Sequence, residues 1–238
     1  MLSNMLYDVL SLVLPRVCPV CGEPVRRGGA MVCPSCEVEA PLTYLWQEPY
    51  NIMSERFWAL LPVERVSAML WYVEGNPWRK VIHEFKYNGR WRVAYDLGRW
   101  YGTMLRDGGE FAQVDVVVPV PLHWRRHIVR GYNQSELLAR GIARELGVEC
   151  DAGIVRRCHY NESQVLHRAM ERWGNVEGIF RVCRPERLRG KHILLVDDVF
   201  TTGATIMSLG SAILSAVEDV RLSVAVLATP RHSLNMAP

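Results

Sequence analysis

Two adjacent carboxylates stand beside a run of hydroxyl residues in the last quarter of the chain. Residues 193–205 read ILLVDDVFTTGAT, so an apolar run ends at Asp197 and Asp198, and a loop containing a glycine follows. Backbone N–H groups at the start of a following helix, together with threonine hydroxyls, form a cradle for an anion such as phosphate. Carboxylates beside such a cradle repel the anion unless they bind hydroxyl groups or a cation. A ribose 5-phosphate meets both demands, because its phosphate fits the loop and its ring hydroxyls fit the acids.

The loop after the acid pair supplies the predicted phosphate contacts. Its members are Thr201, Thr202, Gly203, Ala204 and Thr205. The acid pair alone could form a plain turn, and the loop alone could merely cap a helix. A P-loop is excluded because the chain contains no G-x4-G-K-[ST] string. A strand, the acid pair, the glycine loop and a helix, in that order, favour the phosphoribosyl site.

Four cysteines form a second group with the spacing of metal ligands. Cys18 and Cys21 make one C-x2-C pair, and Cys33 and Cys36 make another. Each pair sits on a Pro- or Gly-containing turn, so two such turns can present four thiolates to one tetrahedral Zn²⁺. Because all four ligands come from the protein, the zinc would be structural and would supply folding free energy. A redox C-x-x-C motif, a disulfide pair and an iron–sulfur cluster are the alternatives.

Strands alternating with helices must position these groups, and they predict a parallel α/β sheet. The predicted strands are Ser67–Tyr72, Val114–Val118, Ile193–Val196 and Leu222–Leu227. Helices are predicted from Pro77 to Asn88-Gly89 with Asn76 as N-cap, over Arg92–Leu105, over Ser135–Leu146 with Ser135 as N-cap, and after the glycine loop. We expect Trp58, Trp71 and Trp100 in the core, and Cys150, Cys158 and Cys183 as buried apolar side chains.

Composition narrows the class of protein. The chain has 238 residues, of which 49% are hydrophobic, which suffices for one good core and a small appended module. A net charge of +3 suits a protein that handles phosphates but not a strongly basic nucleic-acid binder. The apolar segment 1–14 is interrupted by Asp8, lacks a basic start and is too short to span a bilayer. We therefore expect a cytoplasmic protein whose N-terminal helix packs on its own surface.

The motif ILLVDDVFTTGAT resembles the phosphoribosyl pyrophosphate (PRPP) motif of type I phosphoribosyltransferases. The whole chain resembles the ComF/GntX family of competence protein F-like proteins, named for a link to DNA uptake. Besides the cysteine pairs, the resemblance rests on HEFKYNG at His83–Gly89, PVPLHWRRHIVRGYNQS at Pro119–Ser135, and Gln164, Arg172, Asn175 and Phe180. It implies a type I phosphoribosyltransferase fold over residues 46–238, a parallel sheet flanked by helices, and an N-terminal helix with a zinc module over residues 1–45.

The resemblance also assigns residues to the substrate. It places a pyrophosphate loop within Val118–Glu136 and a segment that closes over the substrate within Val155–Phe180. The residues that it adds are Lys86, Arg125 and Arg130 for pyrophosphate and Gln164, Arg172 and Asn175 for the closing segment. An exposed basic loop is the alternative for the arginines, and an interaction with the helix dipole is the alternative for Lys86. An ordinary exposed loop is the alternative for the closing segment.

The implied reaction is pentosyl transfer, in which an acceptor displaces pyrophosphate from C1 of PRPP. Asp197 and Asp198 would be the catalytic carboxylates, and Mg²⁺ would accompany the diphosphate. Thr201 stands where 6-oxopurine salvage members carry an aspartate, which leaves orotate-like, adenine-like and other acceptors open. Two further hypotheses are a PRPP sensor without turnover, and an accessory protein that binds single-stranded DNA or a competence protein. The sequence predicts neither the acceptor nor the oligomeric state.

Overall fold

The structure is a computed structural model that describes residues 17–25, 31–87, 89–124, 127–128, 131–158 and 179–234. The predicted N-terminal helix over residues 1–14 lies outside these ranges. Within them, every helix is too short or too polar to cross a lipid bilayer.

Helices and strands follow one another along the described chain much as the sequence predicts. The helices are α1 (Pro34–Val38), α2 (Pro77–Tyr87), α3 (Trp91–Gly108), α4 (Gln134–Leu146) and α5 (Ala204–Ala216). The strands are β1 (Arg65–Trp71), β2 (Val116–Pro119), β3 (Glu149–Cys150), β4 (Val155–Arg157), β5 (Phe180–Val182), β6 (His192–Val199) and β7 (Arg221–Thr229). Asn76 caps α2 as predicted, because its Oδ1 accepts a hydrogen bond of 2.9 Å from the backbone N–H of Trp78.

The main sheet has five parallel strands in the order β1-β7-β6-β2-β3. Since all five run in the same direction, their carboxyl ends meet at one edge, where ligands bind in such sheets. The strand β6 lies at the centre and pairs with β7 and β2. The strands β4 and β5 form a separate antiparallel ribbon.

Side chains alternate between the two faces of the sheet and build a core on each. On β6, Leu194 and Val196 join the core that includes α2, α3 and α4, whereas Ile193 and Leu195 join the core that includes α5 and the ribbon. This is the pattern of a strand buried on both faces, which the continuous apolar run before Asp197 predicts. The acid pair therefore leaves the core where β6 reaches the edge of the sheet.

The outer edge of β1 is covered by the segment that follows the cysteine module. The backbone N–H of Thr43 donates to Met69 O at 3.0 Å, and that of Trp71 donates to Pro41 O at 2.7 Å. Leu42 forms an isolated antiparallel bridge with Leu70. This short pairing occupies hydrogen-bonding groups that an open edge strand would otherwise expose.

The helices α3 and α4 approach each other through glycines. A Cβ added at Gly98 would lie 2.2 Å from Leu138 O, and one at Gly141 would lie 2.3 Å from Tyr95 O. No real Cβ tolerates such distances, so the spacing of the two helices requires glycine at both positions. This contact fixes α4, whose first turn reaches the carboxyl edge of the sheet.

Several burial expectations are wrong. Trp58 is 64% exposed, whereas Trp71 and Trp100 are half-buried and pack against the core. Cys158 and Cys183 are exposed because each lies just beyond the end of a strand of the two-stranded β4–β5 ribbon. Cys150 is half-buried, and burial raises the pKa of its thiol to about 12.

The variant Gly141→Ala should destabilise the protein by about 2 kcal/mol, because its methyl group must push α3 and α4 apart. The exposed residue Arg144 on the same helix provides the control Arg144→Ala, which should change stability by less than about 0.5 kcal/mol. Urea unfolding at equilibrium measures both. Equal stability of the two variants would show that the helices separate without cost.

His192 gives the fold a pH dependence. It is 3% exposed, its Nε2 lies 2.8 Å from Ser223 Oγ, and its Nδ1 has no hydrogen-bond partner among the described residues. Burial, followed by the charge of Arg221, lowers the pKa of His192 despite opposing contributions from Glu64 and Asp115. The buried imidazole therefore favours its neutral form.

The free energy of unfolding should accordingly fall as the pH drops below about 6.5. Below this pH the imidazole of His192 is protonated in the unfolded chain but stays neutral in the folded protein. The free energy of unfolding therefore decreases, by up to about 1.4 kcal/mol per pH unit, until the pH reaches the lower pKa of His192 in the folded protein. In urea titrations between pH 7.5 and 5, His192→Gln should flatten this dependence. The exposed control His232→Gln should keep it. An unchanged slope in His192→Gln would assign the pH dependence to other groups.

Candidate functional site

The acid pair lies at the carboxyl end of the central strand. Both Asp197 and Asp198 are half-buried. Oδ1 of Asp197 accepts a 2.9 Å hydrogen bond from the backbone N–H of Asp198 and another of 2.9 Å from the hydroxyl of Ser135. Hydrogen bonds from its own strand and from the first turn of α4 thus hold Asp197, and they connect the acid pair to the helix that follows β2.

The loop from β6 to α5 is shaped by a glycine that no other residue can replace without strain. Gly203 caps α5 with a φ of 77°, a left-handed conformation that favours glycine. A Cβ at Gly203 would also lie 2.7 Å from carbons of the Phe200 ring. Phe200 is buried against Phe57, with ring centroids 5.7 Å apart, so it cannot move aside freely. The glycine therefore allows the backbone to turn sharply from the acid pair into α5.

The threonines of this loop lie at the same edge of the sheet. Thr201 and Thr202 are exposed, and Thr205 is half-buried in the first turn of α5. Thr202 Oγ1 lies 3.4 Å from the backbone N of Ala204. The loop thus places hydroxyls and the start of a helix next to two carboxylates, which is the combination that the sequence predicts for a phosphate and a diol.

The loop between β2 and α4, residues 120–133, contains the arginines predicted to bind pyrophosphate, and we call it the arginine loop. Both of its ends lie beside the acid pair. It leaves β2 at Val120, whose backbone N–H donates to Val196 O at 2.8 Å. It returns at Asn133, whose Nδ2 donates to Val120 O at 3.0 Å and closes the loop at its base. Because β2 and β6 are neighbours, both ends of this loop lie at the carboxyl edge of the sheet.

The predicted N-cap of α4 is wrong by two residues. Asn133, not Ser135, caps the helix, since its Oδ1 accepts a 3.2 Å hydrogen bond from the backbone N–H of Ser135. Asparagine is as favourable at the N-cap as serine is, so the sequence also allowed a helix that starts two residues earlier, with Asn133 as its cap. The cap by Asn133 leaves the hydroxyl of Ser135 to bond with Asp197.

Tyr132 joins this loop to the helix of the HEFKYNG motif. Its hydroxyl donates a hydrogen bond to the backbone carbonyl of Phe85, near the end of α2. The two motifs are far apart in sequence, yet this hydrogen bond ties the Tyr132 side chain to the backbone next to Lys86.

A buried aspartate that sequence reasoning missed anchors the β4–β5 ribbon. Asp151, 6% exposed, receives the backbone N–H of Gly153 at 2.9 Å and forms ion pairs with Arg187 and Arg184. Its own backbone N–H donates to Val117 O at 3.0 Å, which fixes it beside β2. Its position just after a two-residue strand gave no sequence pattern by which to recognise it.

Part of the predicted substrate site lies outside the described residues. The side chains concerned are those of Lys86, Arg125, Arg130, Gln164, Arg172 and Asn175. The described residues of the predicted site, namely the acid pair and the glycine loop, come together at the carboxyl edge of β6. The predicted closing segment begins and ends in the antiparallel ribbon.

The four cysteines converge as predicted. The Sγ atoms of Cys18, Cys21, Cys33 and Cys36 all lie within 4.8 Å of one another, and those of Cys21 and Cys33 are 3.6 Å apart. A tetrahedral zinc ion bound at about 2.3 Å from each sulfur would hold the sulfurs about 3.8 Å apart. The four thiols thus fit a metal ion such as zinc.

The thiols have unequal acidities because their environments differ. Burial opposes the Cys18 thiolate, but hydrogen bonds from the backbone amides of Cys21, Cys33 and Val20 outweigh it and lower the pKa of Cys18 to about 7. Burial and the neighbouring thiols raise the pKa of Cys36. A bound cation would favour the thiolate form at all four positions.

The cysteine module shares a core with the sheet. Cys18 and Cys36 are 1% and 6% exposed and belong to the same apolar cluster as Trp78, Leu97 and Val117. The module therefore packs against the face covered by α2, α3 and α4. A metal ion held by the four thiols would therefore stabilise that face as well as the module itself.

Together, the order of the parallel sheet, the acid pair at the end of β6 and the glycine-capped α5 define a protein of the type I phosphoribosyltransferase fold with an added four-cysteine module.

A scan against models of known protein families finds no match. The DNA utilization protein YhgH of Salmonella typhi is 30% identical over 206 residues, which cover 83% of this chain and 84% of that protein. The chain accordingly belongs to the ComF family.

Two further relatives carry competence names. Competence protein ComFC of Bacillus subtilis is 27% identical over 207 residues, covering 83% of this chain and 71% of the relative. Competence protein F of Haemophilus influenzae is 28% identical over 156 residues, covering 63% of this chain and 67% of the relative.

Solved structures show a more distant likeness. An allosteric regulatory enzyme of purine biosynthesis has 18% identity and a TM-score of 0.40, with 60% of this chain and 30% of that chain covered. The glutamine PRPP amidotransferase of B. subtilis has 20% identity, a TM-score of 0.39 and the same coverage. The matched part of the chain thus spans 30% of the length of each of these enzymes.

Removal of the metal should lower the melting temperature by about 10 °C or more, because the cysteine turns lose their main source of folding free energy. Elemental analysis should find about one zinc ion per chain, and Cys36→Ser should lose it. The exposed Cys183 offers the control Cys183→Ser, which should retain both the zinc and the melting temperature. Iron in place of zinc would identify a cluster, and a metal-free protein of unchanged stability would contradict the structural site.

Proposed function

We propose that the protein binds PRPP together with Mg²⁺ and transfers the phosphoribosyl group to an acceptor, with release of pyrophosphate. The observation that carries this proposal is the junction of β6 and α5. There, two half-buried carboxylates are followed directly by a glycine turn with exposed hydroxyls at the start of a helix. The carboxylates suit a ribose diol, and the loop suits its 5-phosphate.

Each described group has a role in this reaction. The loop Thr201–Thr205 would hold the 5-phosphate and fix the distance from the ribose to the acids. Asp197 and Asp198 would accept hydrogen bonds from the ribose hydroxyls. Their oxygens also suit Mg²⁺, which when bound offsets the charge of the diphosphate. The protein would thus act mainly by orientation and charge stabilisation.

The chemical step is a substitution at C1 of the ribose. The bond from C1 to the pyrophosphate oxygen breaks, and its electron pair leaves with pyrophosphate. A lone pair on a nitrogen or oxygen of the acceptor forms the new bond to C1, and the acceptor then passes its proton to water or to the departing pyrophosphate. Positive charge develops on the ribose in between, as in glycoside cleavage, and the nearby carboxylates would stabilise it.

The proposal is tested by calorimetric titration of Mg²⁺ and PRPP into the wild type and into Asp197→Asn/Asp198→Asn. The wild type should bind saturably, and the double variant should lose at least tenfold in affinity, because neutral amides attract neither the cation nor the diol as strongly. The adjacent acids Glu218 and Asp219, in the turn before β7 at the opposite edge of the sheet, give a matched control. The variant Glu218→Gln/Asp219→Asn should bind as the wild type does.

The outcomes separate the competing functions. Binding together with pyrophosphate release in the presence of candidate bases or amines supports an enzyme. Binding without release in a broad acceptor screen favours a PRPP sensor. Folded, metal-loaded protein that fails to bind PRPP would contradict both.

A second candidate function is contact with single-stranded DNA in competence or DNA utilisation. It is favoured by the names of the relatives and by exposed aromatic side chains on which bases could stack, with Tyr50, Trp58 and Trp124 exposed by 79%, 64% and 58%. Fluorescence anisotropy with an oligodeoxythymidylate provides the comparison. Binding that weakens steeply with salt, in a protein that does not bind PRPP, would place this function first.

A further inference from the structure

The hydroxyl of Ser135 makes a contact that helix capping does not explain. Ser135 is 5% exposed in the first turn of α4, and its backbone N–H is already satisfied by Asn133. Its side chain instead donates a 2.9 Å hydrogen bond to Oδ1 of Asp197. A buried hydroxyl aimed at one oxygen of a carboxylate in the candidate site restricts how that carboxylate can turn.

The geometry gives this bond a specific effect on Asp197. Oδ1 also accepts the backbone N–H of Asp198 at 2.9 Å, from the same strand. A single donor would act as a pivot and leave the carboxylate able to rotate about its Cβ–Cγ bond. Two donors from different elements, β6 and α4, hold it in one plane. Binding two neighbouring ribose hydroxyls needs acceptors at fixed positions, so this plane matters for a diol but not for an isolated phosphate.

The supports of Ser135 are rigid. Its helix is held against α3 by the close contact at Gly141, and its position in the first turn is set by the cap at Asn133. Asn133 also ties the base of the arginine loop to β2 through Val120 O. The hydroxyl of Ser135 is therefore presented to Asp197 from a fixed framework.

We propose that Ser135 is a positioning residue that orients the Asp197 carboxylate for the ribose hydroxyls of the substrate. This inference rests on the proposed binding of a phosphoribosyl ligand and goes beyond it by naming the group that prepares the acid. Ser135 acts through Asp197 and is not itself required to touch the ligand. Its loss should therefore affect ligands that carry the ribose diol and spare ligands that lack it.

The test compares three ligands on Ser135→Ala: PRPP with Mg²⁺, ribose 5-phosphate, and inorganic phosphate without Mg²⁺. The variant should bind the two ribose ligands about tenfold more weakly, as expected for one lost hydrogen bond to a charged group. The affinity for inorganic phosphate should stay within about twofold. Ser135→Thr, which keeps the hydroxyl, should restore ribose binding, and the exposed control Ser215→Ala should behave as the wild type.

The contradicting outcomes are distinct from a failure of the proposed function. Equal weakening for all three ligands would make Ser135 a purely structural tie between α4 and β6, and unchanged binding would leave it without a role in the site. If Ser135→Ala does not fold, Ser135→Cys preserves the size with a much weaker donor and should show the same loss for ribose ligands. A wild type that binds neither PRPP nor ribose 5-phosphate overturns the proposed function, and the role of Ser135 falls with it.

Discussion

The central position of β6 is the constraint on which the rest of the structure depends. Its backbone pairs with β7 on one side and β2 on the other, and its apolar side chains enter both cores. Such a strand cannot shift by one residue without exchanging its two faces. The register therefore fixes where Asp197 and Asp198 leave the core. The other described groups of the candidate site are placed relative to that point. Backbone hydrogen bonds of Val120 and Phe200 fix the starts of the two loops that lie beside the acid pair.

The elements with strong local patterns could be predicted from the sequence. The apolar run before Asp197 predicts a strand buried on both faces, Asn76-Pro77 predicts the start of α2, and the doubled C-x2-C pattern predicts that four thiols converge. In each case the residues that determine the structure are neighbours in sequence. The physical causes are local. Backbone preferences set the start of a helix, the pattern of apolar residues sets the burial of a strand, and a tight turn brings the two cysteines of each pair together.

What the sequence could not predict depends on contacts between distant elements. A serine near the start of a helix predicts an N-cap at Ser135. Its hydrogen bond to Asp197 exists only once α4 packs beside β6, so the sequence does not indicate it. The anchoring role of Asp151 requires Arg187 from a later loop. Cys158 and Cys183 were expected to be buried, yet in the described part of the chain they are exposed at the ends of the two ribbon strands. Tertiary context decided each of these cases.

The covered edge of β1 bears on how the protein avoids pairing with copies of itself. The segment Pro41–Thr43 that pairs with this edge lies between the cysteine module and the buried side chains of Leu45 and Trp46, so it is held from both sides. Without this cover, β1 would offer unpaired N–H and C=O groups to the same edge of another copy. The short segment thus acts as a guard against edge-to-edge association of the sheet.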